Sequence, residues 1–215
     1  MNTLVEIWQY KLTYFEFIAF LFNLVCVYLN TKENVWAWPI GMVGIVLSMI
    51  LFFNFQLYGD FCLQFIFLGS SIYGWYEWLF GGEQKSVLHV TRASTTLWLI
   101  ASAFVLVGWL SMGYFFAHIH AIWPGIPQTN VPYFDAFPTM ISVVAQFMLA
   151  RKIYENWHLW ITADVVYVAL FIYKELYLTA VLYGLFIFLC FLGLREWKKS
   201  MNTPMLKQKP HMVTG

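Results

Sequence analysis

Charged residues are scarce in this sequence. Only 11% of its 215 residues are charged, whereas soluble globular domains carry roughly a quarter. The formal net charge of +1 lacks the basic excess that is expected of a nucleic-acid-binding protein. The three cysteines, Cys26, Cys62 and Cys190, lie in apolar stretches at unrelated spacings. They therefore indicate buried packing residues rather than a disulfide framework or a metal site.

Apolar residues are abundant instead. They make up 61% of the chain, and the mean hydropathy is +0.66. A chain of this size cannot bury so much apolar surface in water, which indicates a membrane protein. Seven stretches approach the length of a membrane span, so the predicted fold class is all-α with seven transmembrane helices. These stretches are 14–30, 38–55, 61–80, 96–116, 136–151, 157–173 and 177–195.

The segments around these spans predict the remaining organisation. The first span has neither a basic region before it nor a small-residue cleavage site, so we expect it to be retained. Pro124, Pro127 and Pro132 predict an extracytoplasmic loop at 117–135. A polar composition with two prolines predicts a disordered tail at 199–215.

The basic residues predict the orientation in the membrane. An odd number of spans places the two termini on opposite sides. The loops on the N-terminal side contain only Lys11 and Lys174. Ten basic residues fall on the other side: Lys32, Lys85, Arg92, Arg151, Lys152, Arg195, Lys198, Lys199, Lys207 and Lys209. The positive-inside rule therefore predicts a cytoplasmic C-terminus and an external N-terminus.

The chain also resembles itself. The pattern Glu-Asn-x-x-x-Trp occurs at 33–38 and again at 155–160, each time at the start of a span. A Leu-Tyr pair precedes a tryptophan by twenty residues at 57–78 and again at 176–197. This alignment places Met42 opposite Asp164 and Tyr183 opposite Gln64. Interfacial aromatic residues at similar depths are the simpler explanation of these matches, and it stays open here.

A repeat of three spans predicts a 3+1+3 plan. The first unit occupies 1–95, the linking helix 96–116 and the second unit 136–198. Because the linking helix returns the chain across the membrane, both units insert in the same orientation. Such parallel repeats occur in transporters, which bind solute between the repeats near the membrane midplane.

Polar residues inside the spans are candidates for a solute site. Asp164 lies near the centre of the sixth span, and Asn156, Trp160 and Tyr167 fall on the same helical stripe. A carboxylate beside Trp and Tyr rings suits a cationic aromatic solute. An interhelical hydrogen bond that serves only packing is the alternative role of Asp164.

Two further spans contain buried amides. In the third span one face carries Asp60, Gln64, Ser71, Trp75 and Trp78. In the fifth span Gln146 shares a face with Thr139 and Ser142. We expect Gln64 and Gln146 to contact substrate, whereas helix–helix hydrogen bonding is the better explanation of the Ser and Thr residues.

Three motifs closely resemble the PnuC family of bacterial nicotinamide riboside transporters. They are Ser-Ser-Ile-Tyr-Gly-Trp-Tyr-Glu-Trp at 70–78, Asp-Ala-Phe-Pro at 135–138 and Arg-Lys-Ile-Tyr-Glu-Asn-Trp-His-Leu-Trp at 151–160. The resemblance covers residues 14 to 198. It implies a SWEET-like 3+1+3 fold and a homotrimer in the bacterial inner membrane.

The resemblance also implies the activity and its residues. We expect facilitated uptake of nicotinamide riboside by alternating access, with trapping by a cytoplasmic riboside kinase and without a cofactor. The family's central lining corresponds to Gln64, Asn156, Trp160 and Asp164, and further to Trp38, Trp78 and Tyr167.

Other functions fit the sequence less well. A carrier for a sugar or another vitamin, with or without proton coupling, stays open, although Asp164 gains nothing from a neutral sugar. An enzyme lacks support because His118-x-His120 is the only metal-like spacing and no phosphate loop or nucleophile elbow is present. A retinal pump is excluded by the absence of a lysine in the seventh span, while a ligand-sensing seven-helix receptor stays open.

Overall fold

Seven α-helices form most of the molecule. The computed structural model describes residues 3–7, 10–54, 58–82, 88–125, 130–173 and 177–202, and the side chains of most of these. The helices are Tyr14–Thr31 (α1), Ala37–Asn54 (α2), Tyr58–Phe80 (α3), Thr95–Ile122 (α4), Pro132–Ala150 (α5), Asn156–Tyr173 (α6) and Tyr177–Asn202 (α7). The all-helical prediction with seven helices is therefore confirmed in its main features.

Some boundaries differ from the predicted ones. The loop predicted at 117–135 is shorter, because α4 continues to Ile122 and α5 begins at Pro132. Pro132 starts a helix rather than breaking one, since the first helical position needs no backbone N–H. The tail is helical as far as Asn202, and residues 203–215 lie outside the described part.

A short hairpin precedes the helices and was not predicted. Strand β1 (Thr3–Ile7) pairs antiparallel with β2 (Tyr10–Thr13). Thr3, Val5 and Ile7 are β-branched residues at alternating positions, which favours an extended chain. Hydropathy over a long apolar stretch identifies the helices, but it does not identify so short an extended segment.

Within the part of the chain that the structure describes, three helices are long and apolar enough to cross a membrane: Thr95–Ala121 in α4, Pro132–Ala150 in α5 and Thr179–Asn202 in α7. Two shorter apolar runs lie in α1 and α2. Helix α6 contains Asn156, His158 and Asp164, and α3 contains Gln64 and Glu77, which lower their hydropathy. Helices α3 and α6 thus contain candidate site residues that also lower their hydropathy.

Six of the helices form a closed ring. Contacts join α1 to α2, α2 to α3, α3 to α5, α5 to α6, α6 to α7 and α7 to α1, while α4 packs on α5. We call α1–α3 the first unit and α5–α7 the second unit. The same pattern of neighbours results when α1, α2 and α3 are exchanged with α5, α6 and α7, because each contact in the ring then falls on another contact of the ring.

Equivalent contacts recur at positions 119 residues apart. Trp38 and Trp78 meet edge to face with ring centroids 5.3 Å apart, and Trp157 and Trp197 do the same at 5.3 Å. Trp78 and Trp197 are themselves 6.0 Å apart, so the four indoles form a continuous chain. They lie where α1 and α5 end and α2 and α6 begin, which we call the tryptophan end.

The backbone repeats with the same register. Trp78 Nε1 donates to the carbonyl of Leu149 near the end of α5 (3.1 Å), and Trp197 Nε1 donates to the carbonyl of Asn30 near the end of α1 (2.9 Å). Each bond gives a carbonyl in the last turn of a helix a second donor, beside the backbone N–H of Glu33 or Lys152 in the turn that follows. The two units therefore share one local construction.

This register corrects the alignment made from the sequence motifs. The Glu-Asn-x-x-x-Trp pattern paired Trp38 with Trp160, but the contacts pair Trp38 with Trp157. Two tryptophans one helical turn apart in α6 allowed either alignment, and only packing distinguishes them. Ile45 rather than Met42 consequently corresponds to Asp164, whereas Tyr183 still corresponds to Gln64.

A segment after α3 covers the tryptophan end. Thr91 N–H donates to the Lys152 carbonyl (3.0 Å), and Tyr154 N–H donates to the Thr91 carbonyl (2.8 Å). The Glu155 side chain accepts from the Ala93 backbone N–H at 2.8 Å. Val90 is buried in the same core cluster as the four tryptophans.

Candidate functional site

The predicted stripe on α6 lies in the interior. Asn156 is fully buried and Asp164 is only 4% exposed, while Trp160 and Tyr167 are half-buried. Trp160 packs against the tryptophan core cluster. At 1.5 Å per residue, Asp164 lies about 12 Å along the helix from Asn156. The polar residues of α6 are thus distributed along an inward face rather than gathered at one point.

Asp164 is the buried acid of this face. Cys190 Sγ of α7 donates to Asp164 Oδ2 at 3.9 Å, which is a weak hydrogen bond. No Lys, Arg or His among the described residues lies within 4 Å of this carboxylate. An acid in such an environment gains free energy from a cationic ligand.

A group of aromatic rings lies beyond Asp164, away from the tryptophan end. The ring centroid of Tyr167 lies 5.9 Å from that of Phe171, with the two rings nearly parallel, and 5.1 Å from that of Tyr183 of α7. Tyr183 also contacts Phe186 at 5.6 Å. The Tyr167 hydroxyl shares a hydrogen bond of 3.4 Å with the Thr139 hydroxyl of α5. This aromatic group joins all three helices of the second unit.

The other predicted residues near the tryptophan end are tightly packed. Trp38 and Trp78 are 3% and 2% exposed. Asn156 Nδ2 donates to the Ile153 carbonyl at 2.6 Å. Three buried polar atoms, Asn156 Oδ1, Trp38 Nε1 and Trp157 Nε1, have no hydrogen-bond partner within the described part of the chain. Such atoms favour a polar partner, because leaving them unpaired is costly.

The two glutamines occupy different positions. Gln146 of α5 donates from Nε2 to the Ser71 hydroxyl of α3 at 3.4 Å, which connects the two units. Gln64 is half-buried on α3. Trp75, predicted to share the face of Ser71 and Trp78, is 38% exposed, so that face is narrower than expected. The side chain of Asp60 lies outside the described residues.

The contacts of the predicted residues therefore spread along the helices rather than gather in one compact pocket. Trp38, Trp78, Asn156 and Trp160 lie at the tryptophan end, Tyr167 and Tyr183 lie beyond Asp164, and Gln146 lies between units. Two apolar cavities of about 330 and 360 Å³ border none of them. Their linings are Leu24, Val25, Tyr28, Leu185, Phe188 and Leu189 in one, and Val46, Met49, Ile50, Phe53 and Phe61 in the other.

The sequence motifs do not single out some residues of this region. Trp157 is 1% exposed, and its contact with Trp197 is equivalent to the contact of Trp38 with Trp78. Aligning the two units with an offset of 119 residues pairs Trp157 with Trp38. Cys190 was recognised as a packing residue but not as the contact of Asp164, which no sequence pattern reveals. Lys152 is 3% exposed and was counted only as a basic loop residue.

The histidine pair does not form a metal site. His118 and His120 both lie on α4, where residues two apart point in nearly opposite directions. His118 Nδ1 lies 2.8 Å from the Tyr114 carbonyl. Within the described residues, no group of three His, Cys, Asp or Glu side chains is arranged to hold a metal ion.

Comparison with known proteins places this architecture in a family. Residues 13–199 match the family model described as nicotinamide mononucleotide transporter. The chain is 26% identical to the nicotinamide riboside transporter PnuC of Escherichia coli K12 over 210 residues, which cover 89% of this chain and 87% of that protein. It is 24% identical to the riboflavin/roseoflavin transporter RibM of Streptomyces davaonensis, with 91% of each chain covered.

A solved structure agrees with the fold. The crystal structure of the vitamin B3 transporter PnuC matches with a TM-score of 0.63 and 20% identity, over 86% of this chain and 80% of that one. The similarity extends along nearly the whole chain, which includes both units and α4. The chain belongs to the nicotinamide mononucleotide transporter family, a family of membrane transporters rather than enzymes, which confirms the resemblance predicted from its motifs.

Proposed function

We propose that this protein imports nicotinamide riboside, the vitamin B3 precursor of NAD, by facilitated diffusion. The observation that carries the proposal is the buried Asp164, whose described surroundings contain a thiol and no cationic side chain within 4 Å. Nicotinamide riboside has a permanently charged pyridinium ring, which is both a cation and an aromatic surface. It matches an acid that has aromatic residues on either side along its helix.

The predicted residues have distinct roles in this proposal. Asp164 pairs with the pyridinium, and Trp160 and Tyr167 offer ring faces one turn away on either side. Gln64, Gln146 and Asn156 supply amide groups for the ribose hydroxyls and the carboxamide. Trp38, Trp78 and Tyr183 shape the two ends of the path. The unpaired Asn156 Oδ1 supports its part in this set.

The family description and the relatives name different solutes. A mononucleotide adds a phosphate, whose negative charge is repelled by Asp164 in a low-dielectric interior. Riboflavin, named for the RibM relative, is neutral and gains nothing from that carboxylate. Similarity to RibM over 91% of both chains nevertheless makes riboflavin the second candidate.

The transport mechanism that we propose is alternating access in a 3+1+3 arrangement. The matched neighbours of the ring and the contacts 119 residues apart support two parallel repeats, α1–α3 and α5–α7, joined by α4. The excess of basic residues supports a cytoplasmic tryptophan end, with the N-terminus outside the bacterial inner membrane. Phosphorylation by a cytoplasmic riboside kinase then keeps the inward gradient favourable.

We further propose a homotrimer. Helix α4 leaves most of its apolar surface uncovered. Only 11% of its most apolar stretch is buried inside the protein, compared with 61% of the corresponding stretch of α5. Lipid and neighbouring protomers both cover such surfaces. Helix α4 is therefore the surface on which we expect protomers to meet.

Counterflow in proteoliposomes tests the function. Vesicles loaded with unlabelled nicotinamide riboside should accumulate the labelled compound, and empty vesicles should not. Nicotinamide mononucleotide and riboflavin serve as competing solutes. Accumulation of labelled riboflavin but not of the riboside would make the second candidate correct.

A variant of the acid tests the proposed site. Asp164→Asn should reduce affinity for the cationic riboside by about tenfold, a loss of about 1.4 kcal/mol. Its affinity for the neutral reduced analogue should change far less. Equal losses for both compounds would assign Asp164 to packing alone.

A further inference from the structure

Two helix ends share an unusual backbone conformation. Glu33 after α1 and Lys152 after α5 have positive φ angles of 53° and 50°, and they are 119 residues apart. The backbone N–H of the following residue donates to a carbonyl in the last turn of the helix: Asn34 donates to Leu29, and Ile153 donates to Met148. Glycine is the preferred residue at this position of a helix end. Glu and Lys occupy it at a conformational cost, which indicates that their side chains have a role.

The two side chains meet each other. Lys152 Nζ lies 2.9 Å from Glu33 Oε2, and the side chains are only 4% and 20% exposed. Lys152 Nζ also lies 4.7 Å from the centre of the Trp78 ring, in cation–π geometry. Because the two positions correspond to each other, the approximate twofold axis between the units passes between these groups. Identical charged residues at these two equivalent positions would repel each other, whereas Glu33 and Lys152 have opposite charges and attract each other.

Further contacts between the units surround this pair. Arg151 Nη1 lies 3.2 Å from Glu77 Oε2, and Lys32 Nζ lies 3.5 Å from Glu196 Oε2. Lys32 and Arg151 are 119 residues apart in the sequence, and so are Glu77 and Glu196. Arg151 also donates to the Tyr73 hydroxyl at 3.0 Å, and this bond raises the pKa of Arg151. The tryptophan end is thus closed by matched bonds around a central, largely buried ion pair.

We propose that the Glu33–Lys152 pair is the closing contact of the cytoplasmic gate. The inference rests on the proposed transport function, in which the two units rock apart at one end and together at the other. Opening towards the cytoplasm separates the ends of α1 and α5, and therefore separates Lys152 from both Glu33 and Trp78. Loss of the pair shifts the population towards the inward-open state, in which Cys190 beside Asp164 becomes accessible.

Labelling of Cys190 tests the gate without requiring substrate. In a background with Cys26→Ala and Cys62→Ala, inside-out vesicles are treated with a cationic, membrane-impermeant methanethiosulfonate reagent. Glu33→Gln and Lys152→Gln should each increase the rate of Cys190 modification about tenfold. The matched control is Lys199→Gln, which breaks an exposed ion pair within α7 rather than a contact between the units and should leave the rate within about twofold.

A charge exchange tests the symmetry. The double variant Glu33→Lys with Lys152→Glu should restore slow labelling, because both positions have the same backbone conformation. The introduced lysine would lie near Trp197, the counterpart of Trp78. Single variants that label at the background rate, or a double variant as reactive as the singles, would overturn the proposal.

Two controls keep the outcome clear. Each variant is checked by size exclusion and thermal unfolding, and either single variant suffices if the other fails to fold. Counterflow of the riboside is measured for the background protein in the same preparation. A background protein without counterflow but with gated labelling would refute the proposed function alone.

Discussion

Two glycines at the tryptophan end offer a test of the repeated packing. A Cβ atom added to Gly74 would lie 2.3 Å from the Trp38 ring, and one added to Gly193 would lie 2.4 Å from the Trp157 ring. Non-bonded carbon atoms prefer about 3.5–4.0 Å, so each added methyl group overlaps the ring by more than 1 Å. Both indoles are nearly fully buried and each is held edge to face by a second indole, so neither can move aside.

We therefore expect Gly74→Ala and Gly193→Ala to destabilise the fold by about 1–3 kcal/mol each. The two values should agree closely, because the contacts are equivalent. Gly69 on α3 and Gly184 on α7 serve as controls in the same helices, since a Cβ added there meets nothing within 4 Å. Alanine at these two positions should be neutral or stabilising by up to about 1 kcal/mol.

Equilibrium unfolding in mixed detergent micelles measures these free energies. The reasoning would be refuted by Gly74→Ala and Gly193→Ala variants that are as stable as the two controls. A large loss at one glycine and none at the other would instead refute the structural equivalence of the units.

Two further predictions concern the site and the links between units. Trp160→Ala and Gln64→Ala should each weaken riboside binding by about 1 kcal/mol or more, measured by calorimetry on folded protein. Unchanged affinity in both variants would remove these residues from the proposed site. Trp78→Phe and Trp197→Phe should each cost about 0.5–1.5 kcal/mol of unfolding free energy, because each removes a buried indole hydrogen bond to a helix-end carbonyl that keeps its backbone donor. Stability equal to that of the unchanged protein would show that the indole bonds contribute nothing beyond the backbone donors.

The helices could be predicted from the sequence because hydropathy and length are local properties. All seven predicted spans coincide with a helix to within a few residues at most ends. The ends with larger errors were α4, α5 and α7, where polar or proline residues continue a helix beyond its apolar part. The family could also be predicted, because its motifs are contiguous in the chain.

The arrangement of the site could be predicted only in part. Helical periodicity placed Asn156, Trp160, Asp164 and Tyr167 on one stripe, and the structure places that stripe in the interior. Periodicity could not separate Trp157 from Trp160 as the counterpart of Trp38, since both lie at the start of the same helix. It also gave no indication that their contacts would spread from the tryptophan end to the aromatic group of Tyr167 and Tyr183.

The sequence by itself determined that the chain is a seven-helix membrane protein with an acid in its sixth helix, and it predicted a repeated unit, because hydropathy, charge and motif spacing are properties of the linear sequence. The tertiary structure decided which positions correspond between the units. It also showed that Glu33 of the first unit and Lys152 of the second unit meet, and that Cys190 is the neighbour of Asp164. These relations join residues 26 to 119 positions apart, and they depend on how helices pack against one another, which no local pattern specifies.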